Sequence, residues 1–175
     1  MKSKKLVLWA LVAVLVVAVA IPVFGGKRSG PAGKSDVSKL YLVEKDPNTW
    51  EPIDGGAWGK MIYSSSGSTL RLVFNGHDLV VGEDYTLIYY PDPWPGSGLI
   101  CLGARTANDE GNVHIRGQVD TGDLPAEADE NHPDGAKIWL VLSSDVDCEG
   151  KSMVGWNPTE YLFEQELITF DDTDE

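Results

Sequence analysis

The chain has 175 residues, 42% of them hydrophobic and 23% charged, with a formal charge of −13 at pH 7. That length suits a single domain with a sizeable core once any leader is set aside. The acidic excess argues against nucleic acid and anionic membrane surfaces as partners, and it favours solubility and divalent cations.

Met1-Lys2-Ser3-Lys4-Lys5 precedes an apolar run from Leu6 to Phe24, the order of a basic n-region and an h-region. Ala18-Val19-Ala20 fits a small-residue cleavage site, and the run is also just long enough to span a bilayer. Residues 1–25 therefore read as a signal peptide or an N-terminal membrane anchor. Either one leaves the rest secreted or at the cell surface. Taking Lys2, Lys4 and Lys5 away with such a leader leaves 11 basic residues against 27 acidic, a charge of −16. Residues 26–37, rich in Gly, Ser and charge, read as a flexible linker. Residues 38–171 are expected to form the folded domain and 172–175 an acidic tail.

Within the domain, Leu40-Tyr41-Leu42-Val43 predicts a first strand, and Lys45-Asp46-Pro47-Asn48 ends it. Trp50 to Gly56 reads as a loop, Trp58 to Tyr63 as a second strand with Trp58 in the core, and Ser64 to Ser68 as a turn. Leu70, Leu72 and Phe74 alternate with Arg71, Val73 and Asn75, the pattern of a half-buried strand. Tyr85, Leu87 and Tyr89 then alternate with Thr86, Ile88 and Tyr90. Pro91-Asp92-Pro93-Trp94-Pro95-Gly96 stops that strand, since proline donates nothing to a ladder.

Leu99 to Leu102 predicts a short strand, and Asn108 to Asn112 a hairpin-type turn into a strand at Val113 to Val119. Asp120 to Gly135 is acidic and proline-containing, hence a loop. Ile138 to Leu142 is apolar on both faces, as a central strand would be. Residues 158–170 are open between a helix capped at Asn157-Pro158-Thr159-Glu160 and a closing strand over Leu167-Ile168-Thr169-Phe170; the strand is favoured. Asp171 to Glu175 reads as solvated. Many short strands with turns between them predict an all-β chain, a single antiparallel β-sandwich.

Leu79, Gly82, Tyr85 and Leu87 form the pattern Leu-x-x-Gly-x-x-Tyr-x-Leu, which resembles the tyrosine corner of immunoglobulin-like and fibronectin type III sandwiches. The resemblance covers about a dozen residues. It implies an immunoglobulin-like architecture in which Gly82 permits the crossover and the Tyr85 hydroxyl bonds back to upstream backbone. The Cys-Trp-Cys spacing of immunoglobulin domains is missing, and the Pro-rich insert after Tyr90 departs from the pattern. Such folds host unrelated functions, so the likeness implies architecture only.

Enzyme motifs are mostly absent: there is no H-E-x-x-H and no G-x-S-x-G. Gly55-Gly56-Ala57-Trp58-Gly59-Lys60 is superficially similar to a phosphate loop, but it is one residue short and Met61 stands where Ser or Thr would hold Mg²⁺. A hydrolase would need an acid–histidine or acid–acid pair such as Asp92 with His77 or Asp84. No catalytic residue is assigned.

Cys101 and Cys148, the only cysteines, read as a disulfide in an exported chain, stabilising it by about 4 kcal/mol on the chain-entropy model. Asp129, Asn131 and Asp134 offer carboxylate and amide oxygens for calcium on one loop, and Asp145, Asp147 and Glu149 form a second acidic cluster; the bland alternative is a polar loop with Asx turns. Trp94, between prolines beside Asp92, and Trp50 and Trp156, next to Pro-containing loops, suit stacking on sugar rings. The alternative is that Trp94 folds back to cap one end of the sandwich. These readings lead to two functions. One is a non-enzymatic structural or adhesive module at the cell surface, with calcium as a candidate stiffener and surface glycans or surface proteins as candidate partners. The other is a carbohydrate-binding module. They divide on whether these tryptophans share an exposed face.

Overall fold

The computed structural model describes residues 36–174. The leader or anchor and most of the linker lie outside the described residues. Among the described residues, no helix is long and apolar enough to cross a membrane.

The chain is all-β. Eight strands form one sheet: β1 (Val37–Val43), β2 (Trp58–Ser64), β4 (Leu70–His77), β5 (Asp84–Tyr90), β6 (Ile100–Thr106), β7 (Val113–Val119), β8 (Lys137–Leu142) and β11 (Leu162–Glu164). Two small pairs complete the strands among the described residues, β9 (Val146–Asp147) with β10 (Ser152–Met153) and β3 (Ser66–Gly67) with β12 (Asp171–Asp172). The main sheet runs in the order β6-β5-β8-β11-β1-β2-β4-β7, and every pairing in it is antiparallel. A three-residue strand, β11, joins the halves: Phe163 pairs with Trp139 on one side and Val43 on the other. The sheet curls until β6 comes against β7, so it is nearly closed. A Cβ on Gly117 would meet the Leu102 carbonyl oxygen at 2.4 Å, and only glycine lets the two edges come this close.

Alternation decides which side chains fill the interior. Leu40 and Leu42, Met61, Leu72 and Phe74 come from one half, and Tyr85, Leu87 and Tyr89, Ile138 and Leu140 from the other. A second apolar cluster lies on the opposite face of β5, β8 and β11, built from Ile88, Tyr90, Trp139, Val141 and Phe163. Leu99, Val146, Met153 and Tyr161 cover it from the chain excursions around it. β8 is therefore buried on both sides, as its unbroken apolar run predicts. Cys101 and Cys148 are bonded, with Cα atoms 5.7 Å apart, which ties β6 to the excursion that lids the second cluster.

Tyr85 is fully buried and its hydroxyl accepts the Val80 backbone N–H at 3.3 Å, beside Gly82 at φ +81°. The expected antiparallel β fold is present as one continuous curled sheet, in which short β11 bridges the two facing halves. Three expectations are corrected. Residues 158–170 hold neither a helix nor one strand: a 3₁₀ turn at Pro158–Glu160 leads to β11, after which Ile168 and Phe170 make single bridges to Ala136 and Leu124. The serine-rich turn and the expected solvated tail pair with each other, Asp171 beside Ser66. Trp58 is 40% exposed and stacks on His77 with ring centroids 4.6 Å apart; it shares the face of Lys60 and Ile62, opposite buried Met61 and Tyr63.

Candidate functional site

The second apolar cluster is open at one end, and there the chain forms a groove of about 750 Å³. Its floor is strand-borne: Tyr90 of β5 stacks on Trp139 of β8 at 3.9 Å and 11°, and Phe163 of β11 meets Trp139 edge-on at 5.2 Å. Three tryptophans from loops form the walls. Trp50 is 48% exposed, Trp94 52% and Trp156 42%. Trp156 is the hub, 5.6 Å from Trp94, 6.1 Å from Trp139 and 6.3 Å from Trp50. The rings are tilted or perpendicular to one another rather than coplanar, so they enclose a space instead of making a flat strip.

Each loop is held by its own bonds. Asp46 accepts the Asn48 N–H at 2.7 Å in an Asx turn, and Trp50 follows at φ +61° with its N–H on the Asp46 carbonyl. Trp94 lies between cis Asp92–Pro93 and Trp94–Pro95 bonds. The Pro95 carbonyl accepts the Met153 N–H at 2.8 Å, which links the insert to the excursion carrying Trp156. Trp156 precedes Asn157, whose side-chain amide donates to Oδ2 of buried Asp145 at 2.8 Å, and Tyr161 donates to the same oxygen at 2.5 Å.

Polar groups line the rim. Asp92 takes an ion pair from Lys137 and a hydrogen bond from the Asn131 amide. Lys45 donates to the Glu164 backbone carbonyl at 2.9 Å. Glu164 lines the groove with its Oε2 buried and without a hydrogen-bond partner. Burial pushes its carboxyl up to about 7, opposed in part by Lys45 and Lys137. Burial, aided by Asp92, also pushes the Tyr90 phenol up to about 12.

The structure therefore brings together all four residues proposed as ligand-binding: Trp94, Asp92, Trp50 and Trp156. It adds Tyr90, Trp139, Phe163, Lys137 and Glu164, which alternation alone reads as core or as plain surface. Their signal was the β8 face: Lys137 and Trp139 are two residues apart, so they project to the same side.

The residues considered for calcium are placed differently. Asp129 is buried; its Oδ2 accepts the Tyr89 hydroxyl at 2.7 Å, and its Oδ1 accepts the backbone N–H groups of Asp92 and Asn131. Burial and this bond raise the Tyr89 phenol above its ordinary range. Asn131 turns its amide to Asp92, and Asp134 is exposed. Asp145 is saturated in the same way by Tyr161 and Asn157, and Asp147 closes an Asx turn with Glu149 and Gly150. Among the described residues, no three His, Cys, Asp or Glu side chains converge as a metal set. Of the acid–histidine candidates, Asp92 lines the aromatic groove, while His77 lines another groove with Asn112 as its partner and Asp84 accepts from Thr106.

No family model, no curated protein and no solved structure matches the chain.

Proposed function

We propose that the protein is an exported, non-enzymatic binding module at the cell surface and that its aromatic groove holds a sugar ring. One observation carries this reading: three half-exposed tryptophans from three separate loops, Trp50, Trp94 and Trp156, wall one groove with Asp92 beside them. A pyranose presents an apolar C–H face to an indole and hydroxyls at its edge, and the site pairs ring faces with carboxylates and lysines. Tilted walls suit a chain end or a single ring better than a flat polymer surface. A volume of about 750 Å³ falls in the range of small-molecule sites.

Export is supported by the n-region and h-region of residues 1–25 and by the bonded cysteine pair, which is at home in oxidising compartments. The facing halves and the Tyr85 corner read as an immunoglobulin-like sandwich curled toward closure, an architecture that implies no function by itself. The test is a glycan array probed with the full-length protein and with Trp94→Ala and Trp156→Ala. Binding to a defined set of glycans that both substitutions abolish is expected. Binding unchanged by either substitution would overturn the reading.

A further inference from the structure

Away from the aromatic groove, the outward face of β1, β2, β4 and β7 has an unusual charge. Register sets its rows. Lys39, Ile62, Val73 and Arg116 lie side by side across the four strands. The next row is Tyr41, Lys60, Asn75 and His114, and the next pairs Trp58 with His77. Arg71 stands beside Gln118 at the other end. None of the outward positions on these strands is Asp or Glu, in a chain with 27 of them. Among the described residues the one ion pair is Lys137 with Asp92, so Lys39, Lys60, Arg71 and Arg116 have no carboxylate partner.

These cations are oriented by other means. Lys60 stands over the Tyr41 ring, 5.6 Å from its centroid. Arg116 donates to His114, which is bonded to Asn75. At the foot of the face is an open groove of about 890 Å³ lined by Arg71, Arg116 and the serine-rich turn, with Asp36 at its rim. Thr69 also lines it, and its hydroxyl oxygen is buried without a hydrogen-bond partner. The face thus has guanidinium forks, ammonium groups, an orphaned hydroxyl and exposed Tyr41 and Trp58 rings.

We propose that this face binds an acidic polysaccharide, a polymer of sugar rings bearing carboxylates or sulfates. Four unpartnered cations supply the charge complementarity. Strand spacing of about 5 Å places Lys39 and Arg116 about 14 Å apart, so the cations meet repeated charges along a polymer rather than one ion. The exposed rings take pyranose faces. The negative charge of the whole molecule does not forbid this, because at physiological salt its field is screened within about 8 Å while contacts on the face are not. The surface is distinct from the aromatic groove, and the proposal stands without it.

The test uses full-length protein in affinity electrophoresis against polygalacturonate, dextran sulfate and neutral dextran. Retardation by one or both acidic polymers, weakening as salt rises, and none by neutral dextran is expected. The first two arms distinguish carboxylate from sulfate. Replacing Lys39, Lys60, Arg71 and Arg116 together by Gln should weaken binding at least about tenfold with the melting midpoint retained. Trp94→Ala should leave it unchanged. No retardation by either acidic polymer, or retardation equal in the four-Gln variant, would overturn the proposal. So would salt-sensitive self-association lost in that variant, which would make the partner a second copy, or tighter binding to a random DNA duplex.

Discussion

The Tyr161 hydroxyl donates to Oδ2 of Asp145 at 2.5 Å while accepting the Asn157 N–H at 3.0 Å. Both side chains are buried, and the pair clamps the backbone next to Trp156, the ring that touches every other tryptophan of the groove. The Tyr89–Asp129 pair does the same for the loop bonded to Asp92. Two tyrosine–aspartate staples thus fix the groove from both sides. Tyr161→Phe removes a donor from a buried carboxylate, at a cost of about 2 kcal/mol. Urea unfolding should read that loss, and near-UV circular dichroism should show weaker coupling among the tryptophans. A variant with wild-type stability and spectrum would show that the staple does not position Trp156.

Tyr85→Phe should cost about 1 kcal/mol, at the low end for a buried hydroxyl bond, because Val80 is 46% exposed and water replaces the lost acceptor. Chemical denaturation of the pair checks it. A loss too small to resolve would leave the corner as sequence likeness alone.

Glu164 gives a pH dependence with a definite sign. Its carboxyl is raised from 4.5 to about 7 in the folded state. Between those values the folded chain holds more protons than the unfolded one, so this group makes stability fall as pH rises through that window and adds no slope above it. Glu164→Gln should remove that component, so the stability difference between variant and wild type should grow in the variant's favour from acid to neutral pH. A difference independent of pH would refute the assignment.

Calcium should not raise the melting midpoint. The Asp129 carboxylate is already engaged by Tyr89, Asp92 and Asn131, and a cation would have to displace those donors. A ligand that binds only the folded state adds stability by mass action. A clear upward shift with calcium, reversed by chelator, would therefore support the metal reading.

Much of this was legible from local pattern. Strand positions followed from period-2 alternation, and Trp50, Trp94 and Trp156 were separable from core tryptophans by their Pro-containing surroundings. Trp58 was misread although its parity with Lys60 and Ile62 already put it outside. Closure of the sheet was not legible. β11 pairs with β8 and β1, far away in sequence, and its three residues carry too little pattern to announce that role. The basic face was hidden for a related reason: Lys39, Lys60, Arg71 and Arg116 become neighbours only once register is set, and net charge averages them away.

Indole N–H signals in a ¹H–¹⁵N spectrum report on the sugar-binding groove ring by ring. Titrating full-length protein with neutral oligosaccharides chosen from the array should shift Trp50, Trp94 and Trp156 together and leave Trp58, on the far face, unmoved. Saturating sugar that moves none of the three, or that moves Trp58 alone, would contradict sugar binding in the groove.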